Sequence, residues 1–119
     1  KSNIIFLGEV KDIYELYQNA GAIIHPSIYE GLPMVICEAM IIGCPIIASN
    51  VCDHPSILGN DRGILFDPNS PKSICQAIEK FNLMTLSQKT GMIDKARNFA
   101  ENNFSTTKMV ESFENILTL

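Results

Sequence analysis

A doubly wound α/β domain built on a parallel sheet is the fold class this sequence predicts, and three observations predict it. Four short apolar runs, Asn3-Ile4-Ile5-Phe6-Leu7, Ala22-Ile23-Ile24-His25, Pro45-Ile46-Ile47-Ala48-Ser49 and Gly63-Ile64-Leu65-Phe66, are each closed by Gly, Pro, Asn or Asp. They are apolar at successive positions rather than at alternate ones, as strands covered on both faces are. Segments with helical spacing lie between them, and from Pro71 onward only helix-like segments follow.

Each element has its own signal. The first run ends at Gly8. Asp12 then caps a segment in which Ile13, Leu16 and Tyr17 recur at helical spacing, and Asn19-Ala20-Gly21 stops it. The second run halts at Pro26-Ser27. A helix follows from Pro33 to Ile42, because Pro suits a first helical position, where a missing N–H costs nothing. Gly43 is its expected left-handed C-cap. Between the third and fourth runs lies a stretch rich in Asn, Asp, Pro and Gly, which reads as loop. Ser70-Pro71 starts a helix whose apolar face is Ile74, Ala77, Ile78 and Phe81. Leu86 to Asn102 reads as a second helix and Thr106 to Leu119 as a third, with Val110, Phe113, Ile116 and Leu117 as its stripe. Four strands are fewer than the five or six usual in a doubly wound domain, so the sheet is expected to be incomplete at its N-terminal side.

With 119 residues, of which 46% are hydrophobic and 18% charged, residues 1–119 make one globular domain. The net charge of −4 and the scattered Lys and Arg exclude a sequence-independent nucleic-acid binder, which needs a basic stripe to displace counterions. Cys37, Cys44, Cys52 and Cys75 form no Cys-x2-Cys pair, and three of the four sit in apolar surroundings, as reduced core thiols do. Zinc would require His25 or His54 to converge with them, and the spacings do not suggest it, so no metal is expected. No apolar run approaches the ~20 residues of a membrane span and no signal peptide opens the chain, which makes cytoplasmic the default.

The chemistry concentrates between Ser27 and Met40. Glu30 lies in a Ser/Gly/Pro loop, and Glu38 lies eight positions on, inside the helix begun at Pro33. Gly31 and Leu32 approach that helix's N-terminus, where free backbone donors and a partial positive charge suit phosphate. Glu38 is placed roughly 7 to 8 Å along the helix from its start. A carboxylate there can reach a sugar hydroxyl pair beside an anchored phosphate. Val35, Ile36, Cys37, Ala39 and Met40 around it are apolar, and carboxylates are rarely buried without a pairing or functional reason. Ligands of open α/β sheets bind outside the carboxyl ends of the strands, which puts the loops Gly8-Glu9-Val10, Pro26 to Leu32 and Ser49 to Asp53 on one edge. His25 reads as a strand-end residue shaping its loop, His54 as an exposed loop residue that could pair locally with Asp53, and Tyr17 and Tyr29 as packing residues.

Pro26-Ser27, Glu30-Gly31, Glu38-Ala39-Met40, Gly43-Cys44-Pro45 and Ile46-Ile47-Ala48-Ser49 together resemble the signature of the retaining GT-B glycosyltransferases of family 4. Phe6-Leu7-Gly8, Tyr17-Gln18-Asn19-Ala20 and Gly63-Ile64-Leu65-Phe66-Asp67-Pro68 look like flanking elements of the same family, so the resemblance spans nearly the whole chain. It implies a Rossmann-like GT-B C-terminal domain that binds a nucleoside-diphosphate sugar, with no further cofactor. It also implies that 1–119 is the C-terminal part of that domain within a longer protein, whose missing N-terminal domain holds a glycan or lipid acceptor and whose acceptor chemistry fits peripheral membrane association.

By the same resemblance Glu38 matches the Glu that hydrogen-bonds the ribose, a role suited to a carboxylate accepting two O–H bonds. Glu30 matches the catalytic Glu beside the transferred sugar. The amides of Gly31, Leu32, Met34 and Val35 would cradle sugar and diphosphate, and Val10 and Asp12 match positions near the nucleobase. The chain departs from the family pattern at Cys52-Asp53, where Gly-Gly is common, at Ser56, where Glu is common, and at Gly21, where Asp is common. The cations that bind the diphosphate lie upstream of residue 1 in the family. Two other readings remain open: a non-catalytic nucleotide-binding or interaction module of this fold, and a GT-B-like sugar-nucleotide epimerase.

Overall fold

The computed structural model describes residues 3–104. Its elements run α1 (Ile13–Asn19), β1 (Ile23–His25), α2 (Met34–Ile42), β2 (Ile46–Ser49), α3 (His54–Leu58), β3 (Ile64–Phe66), α4 (Pro71–Leu83) and α5 (Leu86–Phe104). The three strands pair in parallel in the order β1-β2-β3, with Ile23 opposite Ile46 and Ile47 opposite Ile64. The expected α/β class with a parallel sheet and C-terminal helices is the observed one. The helix expected over Thr106 to Leu119 lies outside the described residues.

Alternation along β2 builds the two layers. Ile46 and Ala48 face a cluster with Ile36 and Met40 of α2, Ile57 and Leu58 of α3, and Ala96 and Ala100 of α5. Ile47 faces the other way and packs with Ile64, Phe66, Ala77, Phe81 and Met92. A residue period of two on a strand covered on both sides produces this division. β1 differs, since Ile23 packs against the first cluster whereas Ile24 is 46% exposed.

Local chemistry sets the helix ends. Ser70 accepts from the Ser73 amide at 3.1 Å, with Pro71 in the first turn of α4. Thr85 and Gln88 form a reciprocal capping box before α5, Thr85 Oγ1 accepting from the Gln88 amide at 3.1 Å and Gln88 Oε1 from the Thr85 amide at 2.8 Å. Gly43 closes α2 at φ 96°, ψ 31°, as expected of a left-handed cap.

Three expectations need correction. Asn3 to Leu7 is not a strand: the sheet consists of β1, β2 and β3, and Ile4, Ile5, Phe6 and Leu7 are exposed. An apolar run supplies a strand's side chains but not the neighbouring backbone it must bond. The loop between β2 and β3 contains a short helix, α3, started by Pro55 within its first turn. Cys52 and Cys75 are exposed, so only Cys37 and Cys44 are core thiols, and all four are free.

Candidate active site at the carboxyl edge of the sheet

Parallel pairing brings His25 and Ser49, the last residues of β1 and β2, to one edge, where the Asn50 amide donates to the Phe66 carbonyl of β3 at 2.7 Å. The Ser49 hydroxyl donates back to the Ser27 carbonyl at 2.5 Å and lies 3.4 Å from that of His25, which fastens the loop after β1 to the end of β2. Ser49 is fully buried, so its hydroxyl needs such partners.

Glu30 returns from that loop onto two imidazoles. Its Oε2 lies 2.6 Å from His25 Nε2 and 2.9 Å from His54 Nε2. His54 opens α3 and is fully buried, with Nδ1–H donating to the Ser49 carbonyl at 2.7 Å. Ser27 Oγ stands 3.0 Å from His25 Nε2, and the two rings sit 5.6 Å apart. Burial alone would push the Glu30 carboxyl up. Hydrogen bonds from Ser27, His25 and His54, with the charge of His25, outweigh it and bring the carboxyl below its ordinary 4.5. Glu30 is therefore an ionised carboxylate with a set orientation.

His54 was expected to be an exposed loop residue, able at most to pair locally with Asp53. Instead it is buried and faces Glu30, while Asp53 is exposed and makes no side-chain cap bond. The 28 residues between the two histidines hide the constellation from any spacing rule. A signal was present all the same: each lies within five residues of the carboxyl end of one of two consecutive strands.

His25, Glu30 and His54 each bring one potential ligand atom within 4.8 Å of the others. The N···O separations of 2.6 and 2.9 Å are hydrogen-bond lengths. Ligands of a tetrahedral zinc ion, bound at about 2.0 Å, stand about 3.3 Å apart.

Beside it α2 begins. Pro33 proves to be the N-cap rather than the first helical residue, is buried, and offers no side-chain bond to the helix. The amides of Gly31, Leu32 and Val35 have no acceptor among the described residues. The Met34 amide, expected to join them, donates to the Leu32 carbonyl at 2.9 Å and is spent in the turn. A Cβ added at Gly31 would meet nothing within 4 Å, so this approach is open.

Glu38 is half-buried on α2 and makes no hydrogen bond or ion pair among the described residues. Its charge, after burial itself, helps raise the Tyr17 hydroxyl of α1, which places it on the side of α2 facing that helix. Asp12 caps α1 by accepting from the Glu15 amide at 3.3 Å, and Val10 is half-buried just before it. Cys52 holds φ 51°. That left-handed conformation costs a side chain about 1 to 2 kcal/mol and accounts for the glycine common there in the family it resembles.

A cavity of about 330 Å³ lies elsewhere, against the start of β3 beside Asn60, Gln76 and Lys80. None of the site residues lines it.

The family model for glycosyl transferases group 1 matches residues 1–104. The chain belongs to the glycosyl transferases group 1 family. An O-antigen chain mannosyltransferase B of Escherichia coli is 32% identical over 117 residues, covering 93% of this chain and 30% of the relative. The capsular polysaccharide biosynthesis glycosyltransferase CapM of Staphylococcus aureus is 27% identical over 116 residues, 96% of this chain and 30% of its own length. A crystal structure of a glycosyltransferase from Rickettsia africae superposes with a TM-score of 0.84 at 26% identity, over 92% of this chain and 30% of that one. This group 1 domain thus has the GT-B C-terminal fold of family 4, and it spans about 30% of the curated relatives it matches. Among the described residues no helix is long and apolar enough to cross a membrane.

Proposed function

We propose that the chain is the donor-binding portion of a retaining, metal-independent glycosyltransferase. Its substrate is a nucleoside-diphosphate sugar, and its acceptor a glycan or lipid held by an N-terminal domain. The observation that carries this reading is a helix N-terminus with unspent amides opening beside an ionised carboxylate gripped by two imidazoles. Unspent amides suit the diphosphate. A fixed carboxylate suits sugar hydroxyls and the positive charge that develops at the anomeric carbon. Glu38, whose carboxylate has no hydrogen-bond or ion-pair partner among the described residues, can take the ribose diol.

Glu30 and Glu38 are not an acid–nucleophile pair of the glycosidase kind. Glu30 acts by electrostatics and orientation, and the donor's own leaving diphosphate is stabilised by the amides of Gly31, Leu32 and Val35. Val10 and Asp12 border the base. A lipid-linked acceptor would bring the parent protein to the cytoplasmic face of a membrane.

The test is thermal denaturation of the complete protein with UDP-, GDP- and ADP-sugars, followed by a transfer assay with the donor that stabilises it. Ligand at a hundred times its Kd raises stability by about 2.7 kcal/mol, a readily measured shift. Failure of every nucleotide sugar to shift the transition would end the donor reading. The 119-residue chain alone should transfer nothing, because the acceptor must be held against the donor for reaction.

A further inference from the structure

Among the described residues His54 is the one fully buried ionisable side chain at this edge. Its two ring nitrogens both face acceptors. Nδ1 meets the Ser49 carbonyl at 2.7 Å and Nε2 meets Glu30 Oε2 at 2.9 Å. A carbonyl and an ionised carboxylate can only accept. A ring with a single proton would donate to one of them and turn a lone pair toward the other. For both contacts to be hydrogen bonds, Nδ1 must donate to the carbonyl and Nε2 to the carboxylate.

The groups around the ring are His25, 5.6 Å away between centroids, Ser49 Oγ at 3.5 Å from Nδ1, and Glu30 itself. Asp53 and Cys52, which precede it, are exposed. Because Ser49 also fastens the backbone of the Glu30 loop through the Ser27 carbonyl, one residue of β2 sets both the ring and the loop.

We propose that His54 is a positioning residue for Glu30: oriented by the Ser49 carbonyl, its Nε2–H and that of His25 hold Oε2, so that the other carboxylate oxygen is the one presented to the donor sugar. This rests on the donor-site reading above. The arrangement follows the logic of a catalytic group oriented by a partner that is itself oriented by a third group.

Two substitutions in the complete protein separate the bonds. His54→Asn keeps a donor near the place of Nδ1 and deletes the bond to Glu30. His54→Gln keeps a donor near the place of Nε2 and deletes the one to Ser49. The expected result is a loss of kcat in H54N of about tenfold to a hundredfold, as misplacement of a reacting group costs. Donor KM should stay within about threefold, since the lost interaction belongs to the transition state. H54Q should recover part of that loss. H54N with the kcat of the parent, or H54Q no better than an impaired H54N, overturns the proposal.

Nitrogen-15 imidazole spectra read the same contact without any turnover. Nε2 of His54 should carry a proton in the parent and lose it in Glu30→Gln, whose amide donates to the ring instead. A His54 signal unmoved by E30Q overturns the proposal, and this measurement decides it even where H54N fails to fold. Should the parent transfer no sugar, the functional reading falls while the spectra still answer for His54.

Discussion

The two ends of α2 are treated in opposite ways. At its C-terminus every available device is used. Gly43 turns left-handed, the Gly43 and Cys44 amides both donate to the Ala39 carbonyl at 2.9 Å, and Arg97 donates to the carbonyls of Ile41 at 3.3 Å and Ile42 at 3.0 Å. At its N-terminus Pro33 supplies no side-chain cap, and the amides of Gly31, Leu32 and Val35 have no acceptor among the described residues. One helix carries both solutions, so propensity does not explain the difference. A closed end holds the fold together, whereas an open end is polar capacity held in reserve for something outside the chain.

Substitutions at the two ends should separate function from stability. The largest effect is expected for Glu30→Gln, which keeps the shape and removes the charge. Transfer should fall about a hundredfold, as when one preorganised electrostatic group is lost, while nucleoside-diphosphate affinity changes only a few-fold. Steady-state kinetics with calorimetry checks this, and near-normal turnover would remove Glu30 from the chemistry. Glu38→Ala comes next: loss of charge-assisted bonds costs about 1.5 to 3 kcal/mol, so UDP, GDP or ADP should bind more weakly by about tenfold or more. Unchanged affinity for all three would discard the ribose assignment.

At the closed end, Gly43→Ala puts a Cβ onto the Arg97 guanidinium at φ 96°. The left-handed strain alone is about 1 to 2 kcal/mol. Thermal denaturation should register the loss while nucleotide affinity holds, and a drop in affinity without a drop in stability would erase the contrast. Gly31→Ala should do the reverse with the smallest effect on folding, within about 0.5 kcal/mol, because its Cβ points into open space. A weaker donor complex with an unchanged melting temperature is the expected outcome, and a donor complex as tight as the parent's would show that nothing approaches there.

The parts of the molecule legible in the sequence were those governed by local rules. β2 was visible because a strand covered on both faces must be apolar throughout, and α4 because Ser70-Pro71 and the Ile74, Ala77, Ile78, Phe81 face agree. Asn3 to Leu7 obeyed the same composition rule, yet pairing is a relation between two segments and one segment cannot reveal it. α3 was hidden because its five residues look like loop, with only Pro55 to mark a first turn. Asp12 and Gly43 were legible as caps. The grip of His25 and His54 on Glu30 was not, since it depends on β1 and β2 being adjacent and in register, His25 lying opposite Ala48 beside Ser49. The open start of α2 could be inferred from Gly31-Leu32-Pro33. The loss of the Met34 amide to a turn could not.

Arg97 also ties the structure to its own history. Its bonds to Ile41 and Ile42 join residues 56 and 55 positions apart, whereas β1, α2 and β2 assemble through short crossovers. Closing so long a loop is costly, and contacts of high sequence separation tend to form late. The end of α2 is thus sealed only when α5 docks. A contact made after the rate-limiting step slows unfolding without speeding folding. Chevron analysis of Arg97→Met should accordingly steepen the loss on the unfolding arm and leave the folding arm almost in place; a slower folding arm would put α5 in the nucleus. In the cell, that makes α5 a latch on the lifetime of a domain whose opposite end must stay open.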